Sequence, residues 1–534
     1  MSTTLTLSDS SVLSQFLSLR DENSFELGLE GGCPKENVNE LTRALMIHCN
    51  QDNVPKITAL FVHKSFSKAL SEDDLIQLFN CLPDLDELSL SSVTMSVKAL
   101  VVLVAQAKHL KKIRLDRIVL LCQRAETTGV TARLCKALSA LTGLHSFHLS
   151  LGSDSTGIDR RVIPLFAGEN TDLDVLVRAI SSLENLRSVY LGRDGRNQQS
   201  NLLPRAFAAL VQTTESVTIR NMAISPAHVR QLRSQSLQSL NLIQTDLRDD
   251  GALALSRCIA EGLLPFLNKL YVAGNAMTDE GAVAIVKAIQ SNPVRRKLEV
   301  LDLHDNFLMS TTGAAVSVLL GSNCGCGLTF LDLSCNPGLG DHGGVAVASA
   351  LADNCTLEQL CLFGCGLGNQ TCKAIAASLS RNRTLKRLNL YDNQYIGEQG
   401  VLALVECLQD QAFYLERLEI KTSQLVSRTA DSEGKHPKST LDFFLRLNRE
   451  FKRGEALFKS EADYLKGPVA KASELDLSSL FYLLSARPTL FSPPASRTRQ
   501  AIVHLHKLCH PVALPLSQKG TSSVAAKVFC NPQA

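Results

Sequence analysis

Residues 298–308 read LEVLDLHDNFL, and residues 357–367 read LEQLCLFGCGL. Both fill one frame, L-x-x-L-x-L-x-x-N-x-L. Leu298, Leu301, Leu303, Asn306 and Leu308 occupy it in the first stretch, and Leu357, Leu360, Leu362, Cys365 and Leu367 in the second. The inner x-L-x-L-x alternates, which predicts a strand with its leucines on one side and the residues between them on the other. After the frames come a Gly and an apolar run: GALALSRCIA from Gly251, GAVAIVKAIQ from Gly281, GAAVSVLLG from Gly313 and GVLALVECLQ from Gly400. Apolar residues recur there at three- and four-residue steps, so each run predicts a helix with one buried face. One strand–helix unit cannot bury its own apolar face. Repetition at this period therefore predicts an α/β solenoid shaped as a horseshoe, with a parallel sheet on the concave face and helices on the convex face.

Frame starts fall at Ile57, Leu85, Leu110, Leu144, Leu186, roughly Thr214, Leu237, Leu267, Leu298, Leu328, Leu357, Leu385 and Leu415, about thirteen units. Those from Leu237 onward are clean and the earlier ones are degenerate. The step from Leu144 to Leu186 carries extra polar sequence, GSDSTGIDRRVIPLFAGEN at 152–170. The frame's Asn turns the chain out of the sheet, and its amide can bond backbone groups opened by that turn. Asn275, Asn306, Asn336 and Asn393 hold this ladder position, with Cys365, Thr245 and Ser423 as weaker substitutes. The expected organisation is a capping region at 1–53, the solenoid at 54–425, a polar linker at 426–440, a helical segment at 441–490 and a Pro- and Ser-containing tail at 491–534.

Bulk composition excludes several classes. A chain of 534 residues exceeds an ordinary single core, but a solenoid core grows along one axis. A formal charge of +3 gives no reason to expect nucleic acid or a charged membrane as partner. The longest apolar run, ALVVLVAQA between Lys98 and Lys108, is far short of the ~20 residues that span a bilayer. The N-terminus lacks the pattern of a secretory signal. The 16 cysteines follow the repeat, with Cys258, Cys372 and Cys407 on predicted helices, which points to buried free thiols in a reducing compartment. A cytoplasmic or nuclear protein is expected.

These frames resemble the leucine-rich repeats of the ribonuclease-inhibitor type, with a strand and a full helix per unit. The same repeat type occurs in the sensing regions of NOD-like receptors and in the GTPase activator of Ran. The resemblance covers about two thirds of the chain and implies the fold. This fold hosts inhibitors, receptors, activators and scaffolds, so it does not imply one function.

Outward strand positions define the candidate binding surface. Asp302, Asp305 and Asp332 form an acidic cluster, with His304 and Asp392 nearby and Tyr271, Phe330, Phe363 and Tyr391 around it. Aromatic anchors beside charges are what protein-binding hot spots need. Lys112, Arg114, Arg117, Arg193 and Arg220 make a basic stretch in the earlier units. Motifs that imitate chemistry are absorbed by the repeat. GLGDHG at 338–343 matches G-x-G-x-x-G, yet the frame continues on both sides, so it reads as a repeat turn. His504, His506, Cys509 and His510, and separately Cys324, Cys326 and Cys335, lack the four-ligand pattern of a structural zinc site. No metal and no cofactor are expected. The reading is a non-catalytic protein-interaction scaffold that binds a basic protein partner on the concave face. The alternative is a GTPase activator like that of Ran, whose acidic region after the repeats is here the basic LDFFLRLNREFKRGEALFK.

Overall fold

A computed structural model describes residues 202–292, 298–321, 327–410 and 414–421. Before them it describes 56–62, 72–80, 84–106, 109–123, 127–152 and 172–194, with Leu82, short strands at 3–6, 24–29 and 162–164, and a few residues between 441 and 448. The linker, the tail with its His504–His510 cluster, Cys324 and Cys326 lie outside the described residues. The chain divides into two compact units, Met1–Leu445 and Arg446–Ala534, and the second lies almost wholly outside them.

The first unit is a long parallel sheet with a helix between most successive strands. Thirteen strands follow the thirteen sequence frames. The register runs Ala59, Glu87, Lys112, Ser146, Ser188, Ser216, Ser239, Lys269, Val300, Phe330, Gln359, Arg387 and Arg417, each paired with the next. Each of these residues sits two positions after a frame start. The sheet continues in parallel at its N-terminal end through Ser24–Leu29 and Thr3–Thr6. Val162–Pro164, from the polar insertion, pairs antiparallel with Leu121–Gln123.

The alternation works as the frame requires. Leu301, Leu303, Leu308, Leu360, Leu362 and Leu367 are fully buried between sheet and helices. In repeat after repeat the residue just before the ladder position takes the left-handed conformation. It is Ser92, Arg117, Asn221, Gln244, Gly274, Asp305, Cys335, Gly364 and Asp392, with φ between 51° and 64°. This is the corner where the chain leaves the sheet.

The ladder residue closes that corner with hydrogen bonds to two repeats. Asn306 Oδ1 accepts from Asn275 N and Met277 N, both at 3.1 Å, while its Nδ2 donates to Leu303 O at 2.9 Å and Val272 O at 3.2 Å. Asn336 does the same one repeat on, accepting from Asn306 N and Leu308 N at 3.1 Å. Asn275 accepts from Thr245 N, Thr245 Oγ1 and Leu247 N, and Asn393 from Cys365 N and Leu367 N. Cys365 keeps the donor role, its Sγ donating to Leu333 O at 3.1 Å.

A second ladder runs along the helix N-termini. Asp249 accepts from Thr278 N at 2.9 Å and Gly281 N at 3.0 Å in the next repeat; Asp279 accepts from Met309 N at 2.8 Å; Asp341 accepts from Gly368 N and Thr371 N at 2.9 Å. Asn369 continues it to Gly397 N and Gly400 N. A first-turn side chain thus satisfies the open N–H groups of its neighbour's first turn. The helices come close enough there to require glycine: a Cβ on Gly313 would lie 2.6 Å from Gly343 Cα.

GLGDHG is such a turn. Pro337–Leu339 forms a 3-10 turn, Gly340 has φ 58°, and the helix Gly340–Ala350 follows in frame. The described cysteines are free. Cys258, Cys365, Cys372 and Cys407 are buried, and burial pushes the Cys258 thiol up to about 11 and those of Cys365 and Cys372 up to about 12. No described helix is long and apolar enough to cross a membrane.

Candidate functional site

The outer face of the sheet carries one residue per strand in the central row. From the C-terminal repeats back, that row reads Glu419, Asn389, Cys361, Asp332, Asp302, Tyr271 and Asn241. Asp302 and Asp332 are direct partners on neighbouring strands, which lie about 4.8 Å apart. Asp302 Oδ1 accepts from His304 N at 3.0 Å and from His304 Nδ1 at 2.8 Å. Asp332 Oδ1 accepts in the same way from Ser334 N, at 2.8 Å. The hook back to the amide two residues on holds both carboxyls against the sheet. Asp302 is consequently buried, 8% exposed, where the alternation alone predicts an open outward side chain.

Charge follows from this packing. The hydrogen bond that His304 donates to Asp302 raises the histidine's pKa above its ordinary value, against the effect of burial, and the charges of Asp302, Asp332 and Asp305 add to the rise. Burial lifts the Asp332 carboxyl above the usual carboxylate range; its two Ser334 hydrogen bonds oppose this, and the Asp302 charge adds to it. Burial also raises the Tyr271 phenol, with Asp302 contributing. Among the described residues no Lys or Arg forms an ion pair with Asp302 or Asp332.

Asp302, His304 and Asp332 come together: one ligand-type atom from each lies within 4.8 Å of the others. Tyr271 stands beside Asp302 in register. Phe363 and Tyr391 stack on each other, ring centroids 6.0 Å apart and planes 6° apart. Asp305 is exposed on its left-handed corner. Phe330 is half-buried in a different row, between Val300 and Gln359. Asp392 Oδ1 lies 3.9 Å from Lys421 Nζ.

The earlier repeats present a different face. Arg114, His148 and Tyr190 are register partners, and His148 stacks on Tyr190 with centroids 3.9 Å apart. Burial, with Arg114 beside it, lowers the His148 pKa to about 4. Asp116, its Oδ1 3.7 Å from His148 Nε2, opposes this shift without cancelling it.

Two features escaped the sequence reading. Phe307, Met309 and Tyr395 are 67%, 58% and 75% exposed on the turns that follow the strands. Phe307 falls between the ladder Asn306 and the inward Leu308, so its outward direction is readable from the frame. The helix-start ladder also has a trace, an acidic residue two positions before the helix Gly in Asp249–Gly251, Asp279–Gly281 and Asp341–Gly343.

A family model described as Leucine Rich repeat matches residues 233–256, 264–286, 327–348 and 381–405. With the strand–helix repeat around those stretches, the chain is a leucine-rich-repeat solenoid protein. A human relative, "NACHT, LRR and PYD domains-containing protein 5", is 31% identical over 250 residues, covering 41% of this chain and 20% of the relative. The match thus spans about a fifth of that protein's length, and the repeat region resembles those of NOD-like receptors. Among solved structures, a yeast Rad7 and Elc1 complex is 15% identical, covering 80% of this chain and 84% of that one, with a TM-score of 0.40. A TLR13–ssRNA13 complex is also 15% identical, covering 76% and 52%, with a TM-score of 0.36.

Proposed function

We propose that the chain is a non-catalytic scaffold that binds a protein on the outer face of its sheet, across the repeats that start at Leu267 to Leu385. The partner presents Lys or Arg side chains to Asp302, Asp305 and Asp332, and apolar groups to Tyr271 and to the Phe363–Tyr391 stack. One observation carries this reading. Two carboxyls sit side by side on the sheet with no ion pair to a lysine or arginine among the described residues, between aromatic side chains that are only partly covered. Like charges placed directly opposite are unfavourable until something neutralises them. Aromatic side chains are enriched at interface centres, and a carboxylate desolvated beside them needs a partner's Lys or Arg to pair with. The free buried thiols fit a reducing compartment, cytoplasmic or nuclear. The comparisons lend nothing to the GTPase-activator alternative.

The test uses exposed residues, because Asp302 is needed for the local fold. Asp305→Lys combined with Tyr391→Ala should remove partners captured by the wild-type chain from its native cells, with an unchanged melting temperature. If a folded double variant captures the same partners with the same yield, the face is wrongly assigned.

A further inference from the structure

Asp302, His304 and Asp332 also have the composition and spacing of a cation site. Two carboxyl oxygens and one imidazole nitrogen, drawn from two adjacent strands, have donor atoms that all lie within 4.8 Å of one another. Neighbouring ligands of a tetrahedral ion bound at about 2.1 Å are about 3.4 Å apart. His304 Nδ1 and Asp302 Oδ1, 2.8 Å apart across their hydrogen bond, open by roughly half an ångström when an ion takes the place of the proton between them. The backbone holds the other members in place. His304 N and Ser334 N each fix one carboxyl oxygen at 3.0 and 2.8 Å, which sets the carboxylate planes before any ion arrives.

Charge favours the same conclusion. The described ion pairs give these two carboxylates no lysine or arginine, and only the imidazole of His304 stands against them. A divalent ion would balance both carboxylates.

We propose that Asp302, His304 and Asp332 bind a divalent first-row transition-metal ion of the zinc type. Imidazole selects against Ca²⁺ and Mg²⁺, which take oxygen ligands and, for Ca²⁺, six to eight of them. Three protein ligands on an accessible face leave a coordination position for water or for a donor from a bound protein. The site does not depend on the partner reading, because the chain alone supplies every ligand named.

The experiment is equilibrium dialysis of the full chain, stripped with chelator, against Zn²⁺, beside His304→Gln and Asp332→Asn. His304→Gln is half-exposed and outside the ladders, so its fold should persist; a thermal melt of each variant checks this. The wild type should bind one more Zn²⁺ per chain than either variant, or bind that equivalent at least tenfold more tightly. Zn²⁺ should raise the wild-type melting temperature and leave that of His304→Gln unchanged. Co²⁺ should give visible absorption that His304→Gln lacks. Equal stoichiometry and affinity in all three folded proteins would overturn the assignment, including the case in which Zn²⁺ binds only through residues elsewhere, such as His504–His510.

Discussion

The repeats before Leu237 and those after it solve one problem in two ways. Where the chain leaves the sheet, the backbone N–H and C=O groups at the corner need partners. After Leu237 the strands are three to five residues long, as in Val300–Asp302, and the side-chain amides of Asn275, Asn306, Asn336 and Asn393 supply the bonds. Before it the ladder positions of three units hold Val93, Ile118 and Met222, all buried. The Ile118 unit lengthens its strand to twelve residues, Lys112–Gln123, and beyond the corner Thr94–Ser96 of the Val93 unit pairs with its Val119–Leu121, so backbone pairing takes over there. Val93 O accepts from Val119 N at 3.1 Å, and Ile118 O from Gly152 N at 2.9 Å. The left-handed corner residue is kept in both halves. An apolar ladder position with backbone pairing continued past the corner is therefore an alternative form of the unit at Val93 and Ile118, and it departs from the consensus frame.

The outer faces differ in charge as well, and two histidines report it. His148, stacked on Tyr190 beside Arg114, is kept neutral by burial. His304, bonded to Asp302, holds its proton to higher pH than usual.

The largest effect separating the halves is expected in the shared core. Leu301→Ala should cost about 2–5 kcal/mol, and Leu115→Ala in the earlier half should cost a similar amount, because both are buried inward leucines. Denaturant melts measure both, and a negligible loss at either would mean that half is not packed as one stack. Ladder substitutions should then divide the halves. Asn306→Ala leaves Asn275 N and Met277 N without their acceptor and should cost about 1–3 kcal/mol. Met222→Asn should also destabilise, by burying an amide where the ladder's partners are missing; a gain in stability there would show the early corners to be ladder sites after all. Asp341→Ala removes the acceptor for Gly368 N and Thr371 N and should cost about 0.5–2 kcal/mol, as an N-cap does.

The pH dependence is smaller and opposite in sign at the two histidines. For His304, with a raised folded pKa, the contribution is fully present below its unfolded pKa of about 6.5 and is lost as pH rises through the folded value. For His148, with a folded pKa lowered to about 4, stability is lost as pH falls from about 6.5 towards 4, because the unfolded chain takes up the proton first. Imidazole NMR titration should show His304 titrating above the ordinary histidine range and His148 far below it, and the reverse order would refute the contrast. The mildest test is alkylation. The exposed Cys355 should label quickly in the native protein, while Cys258, Cys365 and Cys372 should label only on unfolding, as peptide mass mapping can show.

Sequence periodicity was enough to place thirteen strands in register, because a Leu that must face inward can be displaced by one residue only at the cost of exposing the whole rung. It also located the ladder side chains and the rows of the outer face. It could not say that Asp302 would be buried, since that depends on its own carboxyl hooking back to His304 and on the strand beside it. The meeting of Asp302 with Asp332 was legible, because equal frame positions thirty residues apart fall on neighbouring strands. The ring stack of Phe363 on Tyr391, the helix-start ladder and the opposite titration of two histidines depend on how the side chains of successive repeats settle against one another. Periodicity is a local property of the chain, carried by which residues must escape water; the pairing of one repeat's side chains with the next, and the charge each then holds, exist only once the coils are laid against one another.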